Sequence, residues 1–229
     1  MSKKYLLAFL LLASQIGYSQ DIRFNDELDK FCRQTKKEFA SIPAERRAVL
    51  NRIAEQLTKK KYIGFTCHTN SRRTMLLQTW AQTAFIYYGL NDKFAFSIGD
   101  TVSEVYPEVV NVLELSGFYY TALEEVSPKG YVIYIEKDIP LDYMVSKTDF
   151  GTIDIAKTVV VNICSSGEKS SVASNFPNIE LGYQSPSVFE KTPEEKQKYE
   201  ELNRQIAMEM LYLAKKTKDL ISAQENAGE

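Results

Sequence analysis

Cys67 and Arg73 enclose five residues in the stretch Phe65-Thr66-Cys67-His68-Thr69-Asn70-Ser71-Arg72-Arg73-Thr74. An apolar run at residues 62–66 precedes the cysteine, and a helical pattern begins near Met75. A strand-to-helix turn of this kind gathers backbone N–H groups at one point, and the helix N-terminus adds partial positive charge there. The guanidinium of Arg73 offers a planar fork of donors that matches a tetrahedral oxyanion. A thiol in such a field ionises readily, because helix N-termini and nearby cations lower cysteine pKa values to about 3.5–7.5. His68, Thr69, Asn70, Ser71, Arg72, Arg73 and Thr74 thus make a candidate oxyanion-binding loop, with Cys67 as nucleophile and Arg73 as its charged partner. The bare spacing is a weak signal. The strand before it, the helix after it and the hydroxyl of Thr74 directly behind Arg73 strengthen it.

These residues need a scaffold, and the pattern along the chain supplies one. Asn25 caps a first helix whose apolar face carries Phe24, Leu28, Phe31, Cys32 and Phe39, which makes Cys32 a core residue. Ser41 and Pro43 open a second helix with Val49, Ile53 and Leu57 on one face. The first strand, residues 62–66, ends at Cys67. A strongly apolar helix covers residues 74–88, with Leu77, Trp80, Ala81, Ala84, Phe85 and Tyr88 inward and Gly89 as its stop. A strand at 94–98, a helix at 104–116, and strands at 118–126 and 131–136 around Pro128-Lys129-Gly130 follow. Residues 158–163 form a run suited to a parallel strand buried on both faces. A long amphipathic helix covers about 194–218. Alternating strands and helices imply an α/β, mostly parallel sheet with ligand beyond the carboxyl ends of its strands. Cys67 and Cys164 both fall on that rim.

The remaining features bound the setting. Residues 1–19 open with Met1-Ser2-Lys3-Lys4, continue with an apolar run at 5–13 and end in Gly17-Tyr18-Ser19, the pattern of a secretory signal peptide. That run is too short for a permanent membrane span, and no later segment is apolar enough for one. The expected location is periplasmic or secreted. The expected division is a signal peptide at 1–19, an N-terminal helical extension at 20–60, an α/β domain at 61–218 and a disordered tail at 219–229. A formal net charge of −2 gives no electrostatic footprint for nucleic acid. Three cysteines are too few for a disulfide scaffold, and an odd number in an exported chain points to a reactive thiol. No metal site and no cofactor is expected.

The loop resembles the phosphate loop of the low-molecular-weight protein tyrosine phosphatase superfamily, and among its groups the bacterial arsenate reductases and arsenate-reductase-like phosphatases. The resemblance runs from about Phe24 to Lys218. It includes Ile42-Pro43-Ala44-Glu45-Arg46, Trp80-Ala81, Tyr87-Tyr88-Gly89-Leu90 and the terminal Arg204-Gln205-Ile206-Ala207-Met208-Glu209-Met210. It implies a phosphotyrosine phosphatase I-like fold. That is a mostly parallel four-stranded sheet with helices on both faces, here with an added strand or hairpin, two N-terminal helices and a long C-terminal helix. It also implies roles. Cys67 attacks phosphorus or arsenic, Arg73 and the loop amides hold the oxyanion, Asn70 keeps the loop in shape, and Thr74 donates to the Cys67 thiolate. His68 falls at a variable loop position.

Two departures matter. Relatives carry an Asp acid just before a Pro in a late loop, and here Leu181-Gly182-Tyr183-Gln184-Ser185-Pro186 places Ser185 there. Serine cannot act as an acid near neutral pH. The redox segment of the reductases carries two cysteines seven positions apart; Cys164 matches the first and Ser171 stands at the second. Three functions therefore compete. One is a cysteine-dependent phosphatase for phosphotyrosine or another aryl phosphate. Another is a thiol-linked arsenate reductase using Cys67 and Cys164 with an external thiol reductant. The third is a degenerate module that binds an oxyanion or a partner.

Overall fold

The computed structural model describes residues 24–151, 153–164 and 170–227. The expected signal peptide lies outside the described residues. Along the chain come α1 (Asp26–Lys36), α2 (Ala44–Leu57), β1 (Tyr62–Thr69), α3 (Arg73–Tyr87), β2 (Phe94–Thr101), α4 (Pro107–Leu115), β3 (Tyr119–Leu123), β4 (Gly130–Glu136), β5 (Ile139–Met144), β6 (Thr158–Asn162), the short α5 (Ser171–Asn175), β7 (Asn178–Glu180) and the long α6 (Glu195–Ala227).

Four strands form a parallel sheet in the order β2-β1-β6-β7. Tyr62 at the start of β1 sits opposite Phe94 of β2 on one side and Thr158 of β6 on the other. Every residue of β6 is buried, which is why its sequence is apolar without alternation. Ser97 of β2 meets Gln78 of α3, whereas Thr66 of β1 meets Ser170 at the start of α5. Ser97 lies beside Phe65, one residue before Thr66, so strand alternation puts α3 and α5 on opposite faces. The α/β architecture with helices on both faces is the one the sequence implies.

Helix α3 is buried nearly all round because it lies between the parallel sheet, α6 and β5. Trp80 fixes it. Its ring stacks on Phe31 at 5.3 Å and meets Phe118 edge-on at 5.0 Å, and its Nε1–H donates to Asn203 Oδ1 at 2.7 Å. Gly89 ends this segment at φ 69°, a conformation that disfavours a side chain. Cys32 is fully buried on the inner face of α1, and burial pushes its thiol up to about 12, so it is the core thiol expected.

The expected hairpin is a three-stranded antiparallel sheet, β3-β4-β5. Strand β5, Ile139-Pro140-Leu141-Asp142-Tyr143-Met144, is absent from the sequence reading, since proline and aspartate argue against a strand. The register shifts where Pro140 pairs, and Asp142 is buried with partners of its own. Helices α1 and α2 pack against α6. Asn25 caps α1 as expected, and its Nδ2 also donates to Gly117 O and Ile135 O, which ties the chain to β4. One boundary is corrected. The terminal helix does not stop near Lys218 with a disordered tail; α6 continues through residues 219–227, where Leu220 and Ile221 still pack against the core and the exposed residues beyond them carry the helix on.

Candidate functional site

The chain does not leave the sheet at Cys67. Strand β1 continues to Thr69, with Cys67 opposite Gly99 and Thr69 opposite Thr101 of β2. The connection to α3 is thus Asn70-Ser71-Arg72, and Arg73 is the first residue of the helix rather than the last of a loop. Gly99 permits this course. A Cβ there would stand 2.6 Å from the backbone nitrogen of Asn70.

Cys67 is 4% exposed. From the helix start, Arg73 reaches back so that its Nη2 donates to Cys67 Sγ at 3.5 Å, within reach of a sulfur acceptor. Its Nη1 donates to the carbonyls of Tyr183 and Ile163, which fixes the guanidinium under the thiol. Tyr183 is held in turn by α2 and α6. Arg46 lies 4.2 Å over its ring, the Tyr183 hydroxyl donates to Glu209 Oε2 at 2.6 Å, and Arg46 Nε donates to Glu209 Oε1 at 2.9 Å. Helices α2 and α6 therefore help to place Arg73.

Cys164 follows β6 and brings its thiol to Cys67. Both are free and buried. A hydrogen bond from the Cys164 thiol is the main cause that lowers the Cys67 pKa to about 6; burial opposes it, and the Arg73 charge and the His68 backbone N–H assist. The same contact, with burial, pushes the Cys164 thiol up. The pair has unequal members: one thiol ionises readily and the other remains a donor.

The other loop residues take separate places. Asn70 is buried, and its Nδ2 donates to Ser97 O at 3.1 Å, a bond that ties the loop to β2. The backbone carbonyl of Ser71 accepts from Tyr106 N at 3.0 Å. Arg72 turns away from Cys67. It donates through Nε and Nη2 to Glu190 at 2.5 and 3.0 Å and lies 4.6 Å over the Tyr106 ring. Thr74 does not donate to Cys67. Its buried hydroxyl has no hydrogen-bond partner, because Arg73 and Cys164 occupy the thiol instead. His68, next to Cys67 on a pleated strand, projects to the opposite face. Its Nδ1 stands 2.9 Å from Asp100 Oδ2, and it is half exposed, as is Thr69 beyond it. Asp100 was missed by the sequence reading. It accepts from Ser171 N and Oγ, and although burial acts to raise its pKa, these bonds and the one to His68 hold it below the ordinary carboxylate range.

Ser185 caps a short helical turn at Pro186–Phe189, accepts from Ser187 N at 3.4 Å and sits 2.8 Å from Ser187 Oγ. It supplies a hydroxyl and no acid. Glu190 nearby is engaged by Arg72 and by the Tyr199 hydroxyl. Among the described residues no three potential metal ligands converge, and no helix is long and apolar enough to cross a membrane.

Cys67 and Arg73 lie at the end of β1, an interior strand of the parallel sheet β2-β1-β6-β7, and the sheet with helices on both faces is the α/β fold expected from the sequence. Solved structures similar to this chain include an arsenate reductase from Archaeoglobus fulgidus, 12% identical with a TM-score of 0.45, matched over 68% of this chain and 99% of that one. A YwlE mutant from Bacillus subtilis is 17% identical with a TM-score of 0.45, over 68% of this chain and 97% of that one. A thioredoxin-dependent arsenate reductase from Corynebacterium glutamicum is 16% identical with a TM-score of 0.38, over 89% and 92%. No family model and no curated protein matches the chain.

Proposed function

We propose that the protein is an exported cysteine-dependent phosphatase that hydrolyses phosphotyrosine or another aryl phosphate through Cys67, slowly, because Ser185 stands at the place of the acid. The observation that carries this reading is the 3.5 Å approach of Arg73 Nη2 to Cys67 Sγ. It puts a permanent cation beside a thiol that ionises near pH 6. The thiolate attacks phosphorus in line, forming an S–P bond as the P–O bond to the leaving group breaks. Arg73 offsets charge on the equatorial oxygens. Water then cleaves the S–P bond and returns the thiolate. An aryl oxide departs with the least help from a proton donor, which suits a site with serine at the acid position. The test is turnover of p-nitrophenyl phosphate by reduced protein, with Cys67→Ser as the control. No turnover above that control refutes the hydrolase and leaves an oxyanion- or partner-binding module.

The adjoining Cys164 thiol favours a second reading, reduction of arsenate. Cys67 would bond to arsenic with loss of water, and Cys164 would then attack the Cys67 sulfur and break the S–As bond. The electron pair of that bond would pass to arsenic, so the two thiols would be oxidised to a disulfide and arsenic would leave reduced, as arsenite. An external thiol would reset the pair. Ser171, at the place of a further relay thiol, is occupied with Asp100. Peptide mapping after exposure to arsenate decides this reading, which requires a Cys67–Cys164 bridge that inorganic phosphate does not produce.

A further inference from the structure

A buried polar chain crosses from the added sheet to the oxyanion loop. Asp142 of β5 is the far end. Its Oδ1 accepts from Gln78 Nε2 at 2.6 Å and from Tyr143 N at 2.8 Å, and its Oδ2 accepts from Thr79 Oγ1 at 3.0 Å. The other end of the Gln78 amide, Oε1, accepts from Ser97 Oγ at 2.6 Å. The carbonyl of Ser97 accepts from Asn70 Nδ2 at 3.1 Å. Asp142, Gln78, Thr79, Ser97 and Asn70 are all buried. Burial pushes the Asp142 carboxyl up against the opposing pull of Gln78, the Lys147 charge, Thr79 and the Tyr143 N–H. An acidic side chain so placed carries a standing cost. A sheet that served only to cover α3 would have no use for it, because an apolar residue would pack there more favourably.

The geometry fixes more than packing. Gln78 has one amide, and its orientation is set by which end meets Asp142. With Nε2 on the carboxylate, Oε1 must face Ser97. That orients the Ser97 hydroxyl and anchors the β2 backbone beside Asn70, two residues before Gly99, where the loop approaches most closely. We propose that Asp142 is a positioning residue for the Cys67 oxyanion loop, acting through Gln78, Ser97 and Asn70, so that the three-stranded sheet sets the loop's anion affinity and the ionisation of its thiol. This rests on the reading of the loop as an oxyanion site with a thiolate nucleophile.

Asp142→Ala breaks the chain at its far end, and Asp142→Asn restores it. An asparagine Oδ1 still accepts from Gln78 and Tyr143, and its Nδ2 can donate to Thr79 Oγ1. The measurements are inorganic phosphate affinity by calorimetry, the pH midpoint of Cys67 alkylation by iodoacetamide, and melting temperature. Expected for Asp142→Ala is about a tenfold loss of phosphate affinity, the scale of one buried hydrogen bond to a charged group, with an upward shift of the alkylation midpoint. Asp142→Asn should stay within about threefold of the parent in affinity, as expected where hydrogen bonding is retained. A lowered melting temperature with affinity and midpoint both unchanged would overturn the proposal and leave Asp142 a purely structural residue. If Asp142→Ala does not fold, Ser97→Ala and Gln78→Met interrupt the same chain farther along, and unchanged affinity and midpoint in both overturns it equally. If the parent protein binds no phosphate, or binds it equally well as Arg73→Ala, the reading of the loop fails instead, and the alkylation midpoint alone decides whether Asp142 acts on Cys67.

Discussion

Removing the Cys164 thiol should make Cys67 an ordinary cysteine while leaving Arg73 in place. The largest cause of the lowered Cys67 pKa is the hydrogen bond from Cys164, and burial works in the opposite direction. In Cys164→Ala that donor is lost, burial persists, and only the Arg73 charge and the His68 N–H remain to favour the thiolate. A donor of this kind to a charged acceptor contributes about 1.5–3 kcal/mol, which is about 1–2 pKa units. The midpoint should therefore move from about 6 into the range of roughly 7–8. At pH 7 the thiolate fraction would fall from about nine tenths to between a half and a tenth. The rate at a single pH is a poor measure, because a more basic thiolate is also more nucleophilic, with a Brønsted slope of about 0.4–0.5 in thiol exchange. The full pH profile of iodoacetamide labelling at Cys67, with the modified peptide located by mass spectrometry, gives the midpoint directly. Cys164→Ser supplies a control, since its hydroxyl can donate in the same place and should retain much of the effect. An unchanged midpoint in Cys164→Ala would refute the argument and assign the ionisation to Arg73 and the loop amides.

Other expectations follow from the same geometry. Replacing Arg73 by Ala should weaken phosphate binding by about 1.5–3 kcal/mol, as for a charged hydrogen bond, and equal affinities in calorimetry would remove Arg73 from the site. Ser185→Asp should be tolerated, because aspartate caps a helical turn as serine does there. It should raise phosphatase turnover about tenfold or more, within the usual range of general acid catalysis. The gain should be larger for poor leaving groups and should fade at alkaline pH as the new carboxylic acid ionises; no gain with Cys67 still reactive sinks the hydrolase reading. Protein recovered from its native host should begin at Gln20 or Asp21, and intact mass showing Met1 would dispose of the export proposal.

The regular architecture was legible where the chain obeys a single period. The β6 run, the apolar helix at α3 and the cap at Asn25 each follow from local chemistry. Strand β5 was not, because its buried Asp142 takes its side-chain partners from Gln78 and Thr79, which lie more than sixty residues away in sequence. The short β7 and α5 carry too few residues to show any period. Within the site, the residue types around Cys67 pointed to the loop, and the apposition of Cys164 followed from two strands ending on one rim. The fine geometry did not. Continuation of β1 past Cys67 depends on a glycine in the neighbouring strand, and it sends His68 and Cys67 to opposite faces. The idle hydroxyl of Thr74 is a consequence of Arg73 and Cys164 reaching the sulfur, a competition that no linear pattern displays.

The place of β1 in its sheet also governs when the thiol becomes reactive. Tyr62 finds one partner early, at Phe94, and the other only when Thr158 has been reached. Contacts of such long sequence separation form slowly and close late in folding. Until β6 docks, Cys67 has neither its donor thiol nor the Ile163 and Tyr183 carbonyls that anchor Arg73. A chain without that contact lacks the acidic thiol of the native protein. The enhanced acidity of Cys67 is thus acquired only when β6 reaches β1, so it reports chemically that these two strands have docked.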